Sequence, residues 1–277
     1  MSQAAIAAIG AAAGFSIFLG LPVARLRGLT PRVQGFLNAL ATGVLLFLLW
    51  DILSKANQPI DAALGRLHQG PAEVRVLAAL VALFLLGLAT GLVALTLVNQ
   101  AVMNRLRRKA RPGPGAAIAV AIRTAPNPRS LALMIAIGLG MHNFSEGLAI
   151  GQSFSAGLLS FTAVLVIGFG LHNITEGFGI AAPLASGEQV PSWRFLLMAG
   201  MIGGGPTLIG TVVGFNIVST WTFVLFLALA AGAVIYVINE MLAVCRRMDT
   251  PSALALGLLC GFFAGYGTDL LLTYLGS

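Results

Sequence analysis

Two segments thirty residues apart carry nearly the same string, His142-Asn143-Phe144-Ser145-Glu146-Gly147 and His172-Asn173-Ile174-Thr175-Glu176-Gly177. Each lies inside a long apolar stretch, where a carboxylate is costly unless something compensates its charge. On a helix, residues four apart share a face, so each His stands one turn from its Glu. Two such helices side by side bring two imidazoles and two carboxylates to one point, with two amides beside them. Imidazole nitrogen and carboxylate oxygen together make a ligand set for a divalent transition ion. The two negative charges of Glu146 and Glu176 balance such an ion, which makes burying them tolerable. The plainer reading is a pair of His–Glu hydrogen bonds inside a helix bundle. Two related pairs at the same depth argue against it, because burying two carboxylates for packing alone is hard to justify energetically.

The neighbours of these four residues have readings of their own. Asn143 and Asn173 are each about 100° round the helix from a His. They either support the ligands from behind, contribute to an adjacent ion position, or hold helices together by hydrogen bonds. Gly147 and Gly177 permit close helix approach, and Ser145 and Thr175 can bond back to an i−4 carbonyl and bend the helix. Three further acids lie in apolar segments: Asp51, Asp269 and Glu240. Asp51 and Asp269 fall toward the outer ends of their segments and Glu240 toward an inner end. They read as stepping-stones for a cation, or else as interfacial residues in contact with water and polar neighbours. His68 sits in a polar connection and reads as solvated. Cys245 and Cys260 show neither metal nor disulfide spacing and read as packing residues.

The elements that must position these residues are membrane helices. The chain of 277 residues is 58% hydrophobic and only 9% charged, with a mean hydropathy of +0.93, which excludes an ordinary soluble domain. Eight apolar segments are expected at 4–24, 34–54, 76–102, 130–152, 157–182, 195–215, 219–244 and 252–275. Each is long enough to cross the hydrocarbon core as a helix. The first is read as a retained span, since no cleavage-site pattern follows it. No polar stretch is long enough for an attached soluble domain, so 1–277 reads as one transmembrane domain with a long basic connection at 103–129. Alternate connections differ sharply in charge: thirteen of the sixteen Lys and Arg residues fall on one side and three on the other. Basic residues favour the cytoplasmic side, which predicts both termini outside. The same rule explains the net charge of +7 without a nucleic-acid partner. The two motifs then lie on antiparallel neighbouring helices, with both histidines near mid-depth. Polar residues at mid-depth in an inverted repeat are a common transporter arrangement.

Two successive helices bearing His-Asn-x-x-Glu-Gly resemble transmembrane helices 4 and 5 of the ZIP (Zrt-/Irt-like) metal transporters, especially the bacterial GufA-like branch. Eight spans with both termini outside and a long connection between spans 3 and 4 also resemble that family. So does Ala230-Ala231-Gly232-Ala233-Val234-Ile235-Tyr236 leading to Asn239-Glu240. The resemblance implies that His142, Glu146, His172 and Glu176 bind the transported ion and that Asn143 and Asn173 flank a neighbouring position. It places Glu240 on the cytoplasmic path and gives Asp51 and Asp269 a match among acids at the outer entrance. The chain departs from the family in three places. Ser145 and Thr175 stand where Pro usually precedes the motif Glu. In segment 6, Gly203-Gly204-Gly205-Pro206 replaces a Glu-Pro pair that often supplies a second metal position, with Gly205 in place of the acid. The connection after span 3 has no histidine.

The expected architecture is therefore all-α and polytopic, with helices 4 and 5 between two three-helix groups. The expected activity is alternating-access transport of Zn²⁺, Fe²⁺, Mn²⁺ or Cd²⁺ toward the cytoplasm, one ion at a time, across the cell membrane. The groups would rock against the motif pair, with Gly200, Gly203, Gly204 and Gly205 either as a smooth sliding surface or as plain close packing of helices. The resemblance also implies an elevator-like shift of the motif bundle. The metal is cargo, and no prosthetic group is expected. The bilayer is the expected partner, and a homodimer is compatible with the sequence. An intramembrane metalloenzyme is the second class, but the His-Glu-x-x-His of a zinc protease is absent and the spacing differs from that of di-iron bundles. The third is a proton or cation exchanger that uses the acids as carriers.

Overall fold

The computed structural model describes residues 3–28, 30–109, 128–185, 189–217, 219–247 and 250–276. It contains eight helices long and apolar enough to cross a bilayer, and no strand among the described residues. We number them α1 (Gln3–Arg25), α2 (Pro31–Gly65), α3 (Pro71–Lys109), α4 (Pro128–Ser155), α5 (Leu159–Ala185), α6 (Trp193–Asn216), α7 (Thr220–Arg247) and α8 (Pro251–Gly276). α1 is α-helical to Phe15, resumes at Ile17 and tightens to a 3-10 turn over Leu21–Arg25.

All eight apolar segments become helices, but two run well past their apolar parts. α2 continues through Pro59 to Gly65, and α3 begins at Pro71. The expected connection 55–75 is thereby reduced to a 3-10 turn at Leu67–Gln69 that carries an exposed His68. A helix needs only its own backbone hydrogen bonds to continue beyond the hydrocarbon. Polar side-chain pairs accompany this extension: Asn57 donates to Asp61 at 2.7 Å, and Arg66 meets Glu73 at 3.1 Å. In the long basic connection, Pro112 to Gly115, Arg111 and Arg123 lie outside the described residues.

Burial ranks the helices from centre to rim. In the most apolar window of α4, 72% of residues are buried, against 17% in α3 and in α8. α3 and α8 present Leu85, Leu86, Leu259 and Phe263 outward, as expected of surfaces that meet lipid rather than protein. The motif helix α4 is therefore the most enclosed element of the bundle.

Small residues decide which helices touch. A Cβ added at Gly147 or Gly151 of α4 would strike the carbonyls of Thr207 or Thr211 on α6, and one at Gly210 would strike Phe144 on α4. Glycines four apart let two membrane helices approach backbone to backbone, where dispersion supplies the attraction that water cannot. α1 joins this group, with Gly14 against the Gly204 carbonyl of α6 and Gly20 against α5 at Ile174. A separate set of glycines clasps α2 to α8 (Gly43, Gly261) and α3 to α7 (Gly91, Gly232). Closest backbone contact thus groups α1, α4, α5 and α6 on one side, and the pairs α2–α8 and α3–α7 on the other.

The clasp makes a stability prediction. Gly210→Ala is expected to destabilise the protein by about 1–3 kcal/mol, because a methyl group has no room at the Phe144 carbonyl. Gly267→Ala on exposed α8, where nothing lies within 4 Å, is expected to cost nothing. Thermal unfolding of both variants in detergent checks the contrast.

Candidate metal site

α4 and α5 are antiparallel because the chain turns sharply between them. Leu158 N–H donates to the Ser153 carbonyl at 3.1 Å and Gly157 N–H to Phe154 at 3.0 Å. This is a Schellman C-cap, which needs a left-handed residue at its turn. Gly157 supplies it with φ +76°, a conformation that costs glycine little. Ser153 and Thr162 hydroxyls bond across the turn at 2.9 Å. Both helices then run unbroken through their motifs. Thr175 bonds back to the His172 carbonyl at 2.6 Å, three residues away rather than four. Ser145 is buried, and its hydroxyl has no partner among the described residues.

Three ligand groups converge. One atom each of His142, Glu146 and His172 lies within 4.8 Å of the other two, and all three side chains are buried. His142 Nε2 stands 3.3 Å from Glu146 Oε1, and the two imidazole centroids are 6.3 Å apart. Ligands about 2.1 Å from a tetrahedral ion are roughly 3.4 Å apart, so an ion would need to draw this set in by no more than about 1.4 Å. Both ring nitrogens of His142, Nε2 of His172 and Oε2 of Glu146 are buried without a hydrogen-bond partner in the protein. Buried polar atoms normally have partners. A cluster of unpaired polar atoms this dense, with an acceptor nitrogen on each imidazole and a carboxylate oxygen, fits a bound cation.

Glu176 lies at the side of this triad. Its Oε2 accepts a 2.7 Å hydrogen bond from the Asn143 amide, and its Oε1 stands 3.8 Å from His172 Nε2. Asn143 also donates to the Gly203 carbonyl of α6 at 3.1 Å. Its NH₂ group thus fills the space between Glu176 and α6 with two donated protons. Asn173 instead ties α5 to α1, donating to the Ala13 carbonyl at 2.9 Å. Both amides therefore bond between helices.

The segment 6 glycines do not share one role. Gly203 presents its carbonyl to Asn143. Gly205, the expected position of the missing acid, is turned elsewhere: a Cβ there would meet only the Met201 methyl, at 3.9 Å.

Of the three outlying acids, the structure brings two to the site. Asp51 of α2 and Asp269 of α8 line one pocket with Glu146 and His172, with Phe169 in its wall. Asp51 is buried and Asp269 is half-buried. Glu240 is half-buried on α7 and is not in that lining. Sequence reading overlooked Lys55, which lines the same pocket and binds Asp51 Oδ2 at 2.6 Å. The signal was present: a lysine one helical turn after a membrane aspartate is placed to pair with it.

Eight apolar helices around a buried imidazole–carboxylate cluster define a class, the polytopic membrane proteins that handle metal ions. The family model described as ZIP Zinc transporter matches residues 116–273, more than half of the chain, and the protein belongs to that family. No curated protein matches the chain. The family consists of divalent-metal transporters, so the protein is a multi-pass membrane transporter and not an enzyme.

Proposed function

We propose that this protein carries divalent transition-metal ions across the cell membrane toward the cytoplasm, one ion per cycle, through the site between α4 and α5. The observation that carries the reading is the convergence of His142, Glu146 and His172, buried and largely unpaired, from two antiparallel helices. Glu176 supplies the fourth ligand through Oε1, while Asn143 holds Oε2. The Asn143 amide donates to Glu176 and to the Gly203 carbonyl beside the cluster, and with Gly205 in place of an acid this supports a single ion position. This ligand set accepts Zn²⁺, Fe²⁺, Mn²⁺ and Cd²⁺. Both termini face outward by the asymmetry of basic residues, which puts Asp51 and Asp269 toward the outer ends of the apolar parts of α2 and α8. Glu240 receives the ion on the inner path.

The glycine contacts support alternating access. α1, α4, α5 and α6 are clasped to one another at backbone distance, so they move as one body that carries the ligands. α2, α3, α7 and α8 form the surface they move past. This grouping suits a shift of the ligand-bearing body better than rocking of two flanking three-helix groups.

The test is uptake into proteoliposomes with a metal indicator in the lumen, followed by competition among the four ions. Saturable Zn²⁺ uptake with a bound stoichiometry near one per chain is expected. Absence of saturable uptake would sink the transport reading, and a stoichiometry of two would sink the one-ion site.

A further inference from the structure

The pocket lined by Glu146 and His172 carries a fixed cation, Lys55, among its more exposed lining residues. Lys55 is one-third exposed by its side chain, whereas Asp51 is 12% exposed and Glu146 4%. The ammonium is pinned twice, to Asp51 Oδ2 at 2.6 Å and over the Phe169 ring at 5.5 Å. The second contact is a cation–π interaction, and it crosses from α2 to α5. Behind Lys55, in the same pocket, stand Glu146 Oε2 and His172 Nε2, both buried and unpaired. An ion that enters through this pocket meets the more exposed ammonium before those buried atoms.

Two consequences follow from charge alone. Asp51 is not a free carboxylate, because Lys55 neutralises it. A second positive charge that approaches meets repulsion from Lys55, in surroundings where water screens poorly. Attraction to Asp51 and Asp269 and repulsion from Lys55 both double for a divalent ion relative to Na⁺ or K⁺ at the same distance. Two carboxylates outweigh one ammonium, so the divalent ion competes better with the ammonium for Asp51.

We propose that Lys55 is a tethered cation that gates the mouth of the metal pathway. It holds Asp51 until a divalent ion displaces it, which sets the concentration threshold for uptake and discriminates against monovalent ions. The gate rests on the transport reading above.

The test uses the full-length protein in phosphatidylethanolamine–phosphatidylglycerol vesicles with Zn²⁺ as the probe. Lys55→Met is expected to lower the apparent KM for Zn²⁺ by on the order of tenfold, through loss of the repulsive charge, and to let K⁺ compete with uptake. Lys55→Gln is expected to behave the same way, which guards against a packing effect of one substitution. Asp51→Asn alone strands the ammonium and is expected to slow uptake severely. The double variant Asp51→Asn with Lys55→Met is expected to recover most of that loss, which a merely structural salt bridge would not do. An unchanged KM in both Lys55 variants, or a double variant no better than Asp51→Asn, overturns the gate while wild-type uptake keeps the transport reading intact. A wild-type protein that moves no Zn²⁺ overturns the transport reading and the gate with it.

Discussion

Replacing both His142 and His172 with alanine is expected to abolish saturable metal uptake, with metal affinity reduced more than about 100-fold. The two imidazoles are the neutral donors of the cluster, and they come from opposite helices. Without them, an ion between α4 and α5 keeps only carboxylate oxygens, and one of those, Glu176 Oε2, is already hydrogen-bonded to Asn143. Loss of a group that merely supports a ligand commonly costs 10–100-fold, so loss of two ligands must exceed it. Isothermal titration with Zn²⁺ and vesicle uptake on the same preparation read the effect. Helix content by circular dichroism shows whether the bundle survives. Normal transport by this double variant would be incompatible with a site between α4 and α5.

The single substitutions need not be equal. His142 is almost fully enclosed, with both ring nitrogens unpaired, whereas His172 lines the same pocket as Asp51. On the proposed pathway, His172→Ala removes the ligand an arriving ion meets first, and His142→Ala one that it meets deeper. The first should therefore weaken capture and the second retention. Stopped-flow association and dissociation with a metal indicator separate the two.

The helices and the motif residues were legible because each rests on a local rule. A long apolar run must close its own backbone hydrogen bonds in lipid, and His and Glu four apart must share a face. Those rules reach from residue 142 to 146, but not from 142 to 172. That the second His joins the first pair while Glu176 turns to Asn143 depends on how α4 and α5 rotate against each other and against α6. The clasp of α1 onto α5 and α6 was equally hidden, since Gly14 and Gly204 are far apart in the chain and glycine carries no sign of its partner. Segment 6 shows the same difficulty in miniature. Three consecutive glycines look equivalent in sequence, yet Gly203 offers its carbonyl to Asn143 and Gly205 faces away. The helical period of 100° per residue separates them only once the facing helix is known. Lys55 was missed for another reason. It lies just past the apolar run, where a lysine ordinarily marks the end of a span, and only the packing of α2 against α5 turns it over Phe169.

Asn143→Ala tests the second half of the site. It removes both hydrogen bonds at once, leaving the Glu176 carboxylate and the Gly203 carbonyl without their shared donor. An unsatisfied buried acceptor costs about 1–3 kcal/mol, and more when it is charged, so the variant should melt at a lower temperature in detergent than wild type. Glu176 is also freed to swing, and a ligand that must be reordered binds less tightly. A supporting hydrogen bond to a metal ligand is commonly worth 10–100-fold in affinity, which is the expected fall in Zn²⁺ binding and in uptake at low metal. Asn143→Asp separates the donor from the bulk of the side chain, because it keeps the shape and loses the NH₂. It sets a second carboxylate against Glu176 and a carbonyl, so it should lose at least as much stability as the alanine variant in metal-free buffer. If Asn143→Asp instead matches wild type in both stability and Zn²⁺ affinity, the amide is not acting as a donor. Glu176 must then be positioned by packing alone.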